Sequence, residues 1–151
     1  MFYFRAYGRP APQGSKKYVG NGRFVEASKY LKPWRDTLAT AIWAAQETRE
    51  TYARFEGPVV VEAVFLIPKP PSVKRLWPSV MPDTDKLQRS LGDALETDTQ
   101  LLGSDSLIVK WVASKIYVAQ HEGGVVCTIR DATEEDLNEL NKIATKVLDN
   151  T

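Results

Sequence analysis

The sequence predicts a single α/β or α+β domain, built on a small mixed sheet flanked by helices. Predicted elements alternate in the order strand, hairpin, helix, strand, helix, strand, strand, helix. The 151 residues suit one domain with a modest core, and neither an internal repeat nor a low-complexity tract divides them. We therefore expect residues 1–151 to form one domain.

The N-terminal third predicts a strand, a hairpin and a helix. Phe2 to Tyr7 fits a short strand. Residues 8–25 contain two prolines and four glycines, and Gly20-Asn21-Gly22 predicts a hairpin turn among them. From about Ser28 to Thr48, apolar residues recur every three or four positions, which predicts a helix with Pro33 in its first turn.

The middle of the chain predicts a central strand, an irregular segment and a second helix. Residues 57–68 are apolar on both faces except at Glu62, which is typical of a strand with neighbours on both edges. Residues 68–82 hold five prolines and cannot form regular structure. The segment after Asp83 has one apolar stripe, which predicts a helix: Leu87, Leu91, Ala94 and Leu95.

The C-terminal third predicts two strands and a helix. Leu107 to Val118 fits a long strand, residues 120–124 a turn, and Val125 to Arg130 an antiparallel return. Thr133 is a suitable N-cap for a final amphipathic helix.

The composition excludes several classes of protein. No apolar run is long enough to span a membrane, and the N-terminus lacks the apolar core of a signal peptide, so we expect a cytoplasmic protein. Cys127 is the only cysteine, which excludes an intrachain disulfide and a cysteine-rich zinc site. His121 is the only histidine and gives a Ser-His-Asp triad little support. Residues 14–17, "GSKK", lack P-loop spacing, so no nucleotide cofactor is expected.

Charge is distributed unevenly along the chain. Residues 1–35 hold eight basic side chains and one acid, net +7, whereas residues 131–151 hold six acids and two lysines, net −4. A basic face of this kind can follow a phosphate backbone. An unevenly charged solvated surface is the alternative.

Two aspartates at the start of the second helix are the main candidates for chemistry. Asp83 and Asp85 are two residues apart, so in extended backbone their carboxylates point to one side and can share a hard cation. Asp105 opens the next strand and can return to them if that strand lies beside the central one. Carboxylate-bound Mg²⁺ supports phosphodiester hydrolysis.

A purely structural interpretation of these acids is also open. Aspartate is a preferred N-cap, and acids in the first turn suit the helix dipole. Arg89, four residues after Asp85, can form a weak ion pair of about 0.3–0.5 kcal/mol with it. Arg89 can instead hold a phosphate in a transition state. Asp93 and Glu96 look like solvated acids.

The sequence resembles the RusA-type Holliday junction resolvases, which occur largely in bacteriophages and prophages. The family signature is Asp-x-Asp-Asn-Leu-x-Lys, a helix ending in Asp-Ala-Leu, and an acidic pair that opens a strand. Here "DTDKLQRSLGDAL" stands at 83–95 and "LLGSDSLIVKWVASKIY" at 101–117. The Gly/Pro-rich start and Trp-Arg helix at 8–35 are also similar. The resemblance covers about residues 1–130, and the final helix, 132–151, lies outside it.

By this resemblance, Asp83, Asp85 and Asp105 match metal-binding carboxylates, and Arg89 stands where the family has an essential lysine. The resemblance implies a homodimer that nicks opposed strands of a four-way DNA junction with Mg²⁺, for which Mn²⁺ can substitute. It implies a phage or prophage protein acting in a bacterial host. Basic residues in the loops and near the site are the expected DNA contacts: Lys16, Lys17, Arg23, Lys69, Lys74, Arg75, Lys86 and Lys115.

Two departures from the signature support a second hypothesis. Lys86 stands where asparagine is usual, and Ser104 where the first acid of the pair is usual. Both make the surroundings of the metal less negative. The alternative is therefore a catalytically weak or inactive module that binds branched DNA. A small interaction domain, whose aspartates only cap a helix, is a third hypothesis.

Overall fold

The protein is described by a computed structural model over residues 1–14, 16–26, 29–49 and 54–150, with the backbone alone at 16, 17 and 24–26. Its elements confirm the predicted order. In chain order they are β1 (Phe2–Tyr7), β2 (Lys16–Gly20), β3 (Arg23–Glu26), α1 (Leu31–Glu47), β4 (Val59–Pro68), α2 (Thr84–Asp93), β5 (Ile108–Val118), β6 (Gly124–Asp131) and α3 (Glu134–Asp149). A π-helical turn, Ala94–Asp98, extends α2, and a 3₁₀ turn, Asp105–Leu107, precedes β5. Ser28, the predicted start of the first helix, lies outside the described residues.

The four-stranded sheet has the order β1-β6-β4-β5, and β2 and β3 form a separate hairpin. Strand β4 is parallel to β5 and antiparallel to β6, so the sheet is mixed and the predicted α+β class is confirmed. Pairing on both edges of β4 agrees with its apolar pattern. The prediction that β5 and β6 form a hairpin is wrong. The two strands run antiparallel, but they are not paired with each other, because β4 lies between them. Residues 119–123 therefore pass over the end of β4 instead of forming a tight turn.

The core fills one face of the sheet. Alternate residues of β1 are buried, Phe2, Phe4 and Ala6, as period-two strand geometry requires. Helices α1 and α2 cover this face with fully buried side chains that include Leu38 and Leu91. Burying a leucine contributes about 1.5–3 kcal/mol, so these contacts hold α2 firmly against the sheet.

The other face, called the open sheet face below, is not covered by any helix among the residues that the structure describes. Its exposed apolar side chains are Tyr3, Tyr7, Val64, Val112 and Ile116. Within the same ranges, no helix is both long and apolar enough to cross a bilayer.

The proline-rich segment between β4 and α2 is irregular, as predicted, but it is tied to the sheet by a lysine. The Lys115 ammonium on β5 donates hydrogen bonds to the carbonyl oxygens of Val80, at 2.6 Å, and Pro82, at 2.9 Å. Because Pro82 is followed directly by Asp83, these bonds fix the position from which α2 begins.

Helix α3 is attached to the rest of the protein at its first turn. Arg130 on β6 donates two hydrogen bonds of 2.7 Å to the Asp136 carboxylate, and Asp136 also forms a capping box with Thr133. The predicted N-cap is thus confirmed. Asp136 is the only buried residue of α3, so the apolar stripe of this helix is exposed to solvent.

Protonation of Asp136 should weaken the attachment of α3. The hydrogen bonds from Arg130, and then those from Thr133, hold the pKa of the Asp136 carboxyl well below its usual range. A depressed pKa contributes stability above the unfolded value of about 3.9, and that stability is lost as the pH falls through the folded value. Asp136→Asn should therefore lose helix content relative to wild type at pH 7, measured by circular dichroism, and the difference should shrink below about pH 4.

Glu135→Gln, a change at an exposed acid of the same turn, is the control and should behave as wild type. A difference between wild type and Asp136→Asn that stays constant across this pH range would contradict the assignment.

Removing the Lys115 ammonium should loosen the start of α2. Lys115→Met loses two charge-assisted hydrogen bonds, and we expect unfolding in urea to require about 1–2 kcal/mol less free energy. Lys110→Met is the matched control, since Lys110 lies on the same strand and faces the opposite side. An equal loss of stability in both variants would show that the carbonyl contacts contribute nothing specific.

Candidate active site

Asp83 occupies the N-cap position of α2 without acting as a cap. Its backbone is extended, with φ −73° and ψ 146°, yet its carboxylate forms no capping hydrogen bond. Thr133, at the same position of α3, forms the full capping box. Side-chain capping therefore does not account for Asp83, whose carboxylate lies instead near the Lys86 ammonium, at 3.7 Å.

Asp85, Arg89 and Asp105 line one cavity of about 210 Å³ between α2 and the start of β5. Gln88, Gly92 and Trp111 complete its lining. Asp85, Gln88 and Gly92 are spaced by three and four residues, so they share one helical face. The structure thus brings three of the four predicted catalytic residues together, and Asp83 is not among the residues that line this cavity.

The direction of α2 explains why Asp83 does not line this cavity. Because β4 and β5 are parallel, the helix between them runs back along the sheet, and β5 starts beside its later part. A Cβ built at Gly92 would lie 3.9 Å from the Trp111 ring, and the Asp105 N–H donates to the Glu96 carboxylate at 3.1 Å. Asp105 thus shares a cavity with Asp85, in the first turn of α2, as the sequence suggested, and the cavity runs along the helix between these two acids without including Asp83.

Lys86 connects the two aspartates at the start of α2. Its ammonium lies 3.7 Å from an Asp83 carboxylate oxygen and 3.5 Å from an Asp85 carboxylate oxygen. Both carboxylates are largely exposed, with 55% and 75% of their side-chain surface open to solvent. Among the described residues, Asp85 forms its ion pair with Lys86, and the pair with Arg89, one of the two roles that the sequence left open for this arginine, is not formed.

Asp105 is held by its backbone, which leaves its carboxylate exposed. Ser104 caps the 3₁₀ turn by accepting a hydrogen bond from the Ser106 N–H at 3.2 Å. Glu96, interpreted from the sequence as a solvated acid, accepts the Asp105 N–H in an exposed hydrogen bond. Helical spacing places Glu96 on the same face as Asp85 and Arg89, but it gave no signal for the contact with Asp105.

The Gly/Pro-rich loop after β1 is clamped onto α2 and α1. The Gln13 N–H donates to the Lys86 carbonyl at 3.1 Å, and the Gln13 side-chain amide donates to Asp93, another acid that looked solvated.

Arg35 on α1 forms an ion pair with Asp98 through two hydrogen bonds, at 2.7 and 2.8 Å, and this hydrogen bonding raises the pKa of its guanidinium. Sequence periodicity gave no signal for these contacts.

The same loop closes over Arg89. A Cβ built at Gly14 would lie only 2.9 Å from a terminal nitrogen of the Arg89 guanidinium, and Gly14 has φ +100°, which disfavours any other residue. The loop therefore limits the positions open to the guanidinium beside the cavity.

The predicted DNA contacts have varied surroundings. Arg23 and Lys74 are exposed, and the side chains of Lys16 and Lys17 lie outside the described residues. The ammonium of Lys86 contacts aspartates and that of Lys115 contacts carbonyls. A contact with DNA stays a prediction for all eight residues.

One arginine missing from the predicted set lies close to the site. Arg9 and Arg75 line a groove of about 380 Å³ that extends to Pro82, the neighbour of Asp83. The Arg75 guanidinium and the Lys69 ammonium each lie 5.8 Å from the centre of the Tyr117 ring. Arg9 falls in the basic N-terminal region, and that charge excess was the only sequence signal for it.

Carboxylate oxygens suit a hard divalent cation, and the Lys86 ammonium already shows that a positive charge is accommodated between Asp83 and Asp85. In residues 1–14, 16–26, 29–49 and 54–150, no three His, Cys, Asp or Glu side chains are arranged as a metal centre. The carboxylates of Asp83, Asp85 and Asp105 are suitable ligands for a divalent cation, but these side chains would have to reorient for all three to bind one ion.

Comparison with known families agrees with the motif. The endodeoxyribonuclease RusA family model matches residues 7–130 of the 151-residue chain. No curated protein matches the chain. The matched range contains α2, the cavity acids, β4, β5 and all of β6 except its last residue, but only Tyr7 of β1. On this match, the chain belongs to the RusA endodeoxyribonuclease family, the Holliday junction resolvases that its sequence resembles.

Proposed function

We propose that the protein is a Mg²⁺-dependent, structure-selective endodeoxyribonuclease that resolves four-way DNA junctions by paired nicks. The observation that carries the proposal is the shared cavity of Asp85, Arg89 and Asp105 beside the exposed carboxylate of Asp83, in a chain of the RusA family. Nucleases need acidic metal ligands and a cation for the phosphate in one place, and these residue types provide both.

In this proposal, Asp83, Asp85 and Asp105 hold Mg²⁺, with Mn²⁺ as a substitute. The bound ion would polarise the scissile phosphate and lower the pKa of an attacking water. Arg89 binds phosphate oxygens through its planar guanidinium, which can donate two parallel hydrogen bonds. Arg89 stands where the family has lysine, so we expect tighter orientation of the phosphate than an ammonium would give.

The DNA backbone would reach the cavity across basic loops. The groove that contains Arg9 and Arg75 ends next to Asp83 and would guide phosphates toward it. Phosphate contacts fix position, and the branched shape of the junction supplies selectivity. The proposed contacts are Arg9 together with the predicted set: Lys16, Lys17, Arg23, Lys69, Lys74, Arg75, Lys86 and Lys115.

A branched-DNA-binding module with weak or no cleavage is the second candidate. Two observations favour it. Lys86 partly offsets the charge of the Asp83 and Asp85 carboxylates, and Ser104 caps a turn at the position where the family signature has an acid. Both reduce the negative charge that would attract a divalent ion.

We also propose that the protein acts as a homodimer, since a two-fold symmetric junction requires two active sites related by a dyad. A second copy can cover the two apolar surfaces left exposed, the stripe of α3 and the open sheet face. Their charges are complementary. Apart from Arg130 and Asp136, which pair with each other, helix α3 carries four acids and two lysines, whereas the open sheet face carries Arg5 and Lys110 against Glu62.

Loss of any one proposed ligand should abolish cleavage. Asp83→Asn, Asp85→Asn and Asp105→Asn should each reduce junction cleavage in Mg²⁺ by at least about 100-fold, because each removes a carboxylate from the metal. Junction binding should be kept or strengthened, since the change also removes repulsion of phosphate. Cleavage and gel-shift assays with Mg²⁺ or chelator measure both properties.

Asp149→Asn, at an exposed acid outside the site, is the control and should cleave normally. Binding without nicking by the wild-type protein would select the binding module. Normal cleavage by any of the three site variants would contradict the assigned ligand.

Disruption of the α3 stripe should dissociate the dimer. Val147→Asp puts a charge on the exposed apolar stripe, and sedimentation should show a monomer where the wild type is a dimer. Asn138→Asp adds the same charge to the polar side of α3 and should leave the dimer intact. A wild-type protein that stays monomeric at all concentrations would contradict the proposal, and a dimeric Val147→Asp variant would exclude this helix from the contact.

A further inference from the structure

We propose that Lys86 is an intramolecular competitor for the divalent cation, and that it raises the metal concentration at which the site fills. The inference rests on the proposed function, because it takes Asp83 and Asp85 to be metal ligands. It adds a control element within the chain: the ammonium must leave the carboxylates before an ion can bind both of them.

The geometry makes the ammonium and the ion mutually exclusive. The Lys86 nitrogen lies 3.7 Å from an oxygen of Asp83 and 3.5 Å from an oxygen of Asp85. Divalent ions bind carboxylate oxygens at roughly 2.0–2.6 Å. An ion that draws both carboxylates to such distances would occupy the space that the ammonium holds, and its charge would repel the ammonium.

The competitor can be displaced. Two-thirds of the Lys86 side chain is covered, but the rest is open to solvent, and its four-carbon stem allows the ammonium to swing away. The backbone at this position is fixed independently, because the Lys86 carbonyl accepts the Gln13 N–H at 3.1 Å. Side-chain movement therefore does not require movement of the helix, and the expected effect is weaker metal binding rather than none.

Simple electrostatics gives the size of the effect. In water, a unit charge pair about 4 Å apart changes an equilibrium constant by about fivefold. Lys86 contacts two carboxylates, so a neutral side chain at this position should increase metal affinity by about 5- to 25-fold. A change of this size is measurable without DNA, which separates it from any contact of Lys86 with phosphate.

The test is a titration of the full chain with Mn²⁺ in the absence of DNA, with free Mn²⁺ followed by electron paramagnetic resonance. Lys86→Met and Lys86→Gln should both bind Mn²⁺ about 5- to 25-fold more tightly than wild type. Lys86→Arg keeps the charge and should stay near wild type. Lys32→Met is the matched control, because Lys32 forms an exposed ion pair of 2.9 Å with Asp36 outside the site.

The outcomes distinguish this inference from the proposed function. Equal affinity in wild type and both neutral variants, with binding lost in Asp85→Asn, would overturn the role of Lys86 and leave the metal site in place. An equal increase in Lys32→Met would also overturn it, since the effect would then come from net charge. Absence of Mn²⁺ binding in every variant, together with absence of cleavage in Mg²⁺, would overturn both proposals.

Discussion

The parallel pairing of β4 with β5 is the constraint on which the candidate site depends. Parallel neighbours require a crossover, and here the crossover consists of the proline-rich segment and α2. The helix must run against both strands, so its face with Asp85 and Arg89 leads to the beginning of β5, where Asp105 stands. Residues twenty positions apart in the chain line one cavity because of this path.

Three contacts fix the backbone around the candidate site. Lys115 fixes the backbone just before Asp83, and Glu96 fixes the backbone of Asp105. The loop after β1 binds the first turn of the helix through Gln13. Each of these contacts reaches a main-chain group, so the backbone is held while the carboxylates remain exposed. Such a division suits a site whose side chains must adjust to an ion and a phosphate.

Local pattern predicted most of the fold. Element order followed from periodicity and from the positions of proline and glycine, and the central place of β4 followed from its apolar pattern. The error at β5 and β6 arose because strands adjacent in sequence are usually adjacent in space, whereas β6 here inserts on the other side of β4. The Asp-x-Asp spacing, together with the family resemblance, pointed to the candidate acids Asp83, Asp85 and Asp105. It could not supply Gln13 or the Arg35–Asp98 pair, since contacts between distant segments leave no periodic trace.

Helix α3, which is attached to the rest of the protein at its first turn, lowers the net charge of the molecule. The family match ends at Arg130, which forms the ion pair with Asp136. Helix α3 therefore lies outside the matched range, and it carries five acids and two lysines. With this helix the chain is close to neutral, at +1, and without residues 132–151 it would carry +4. The helix thus adds three net negative charges to a chain whose remainder carries +4, and this lowers the long-range attraction of the whole molecule for any polyanion.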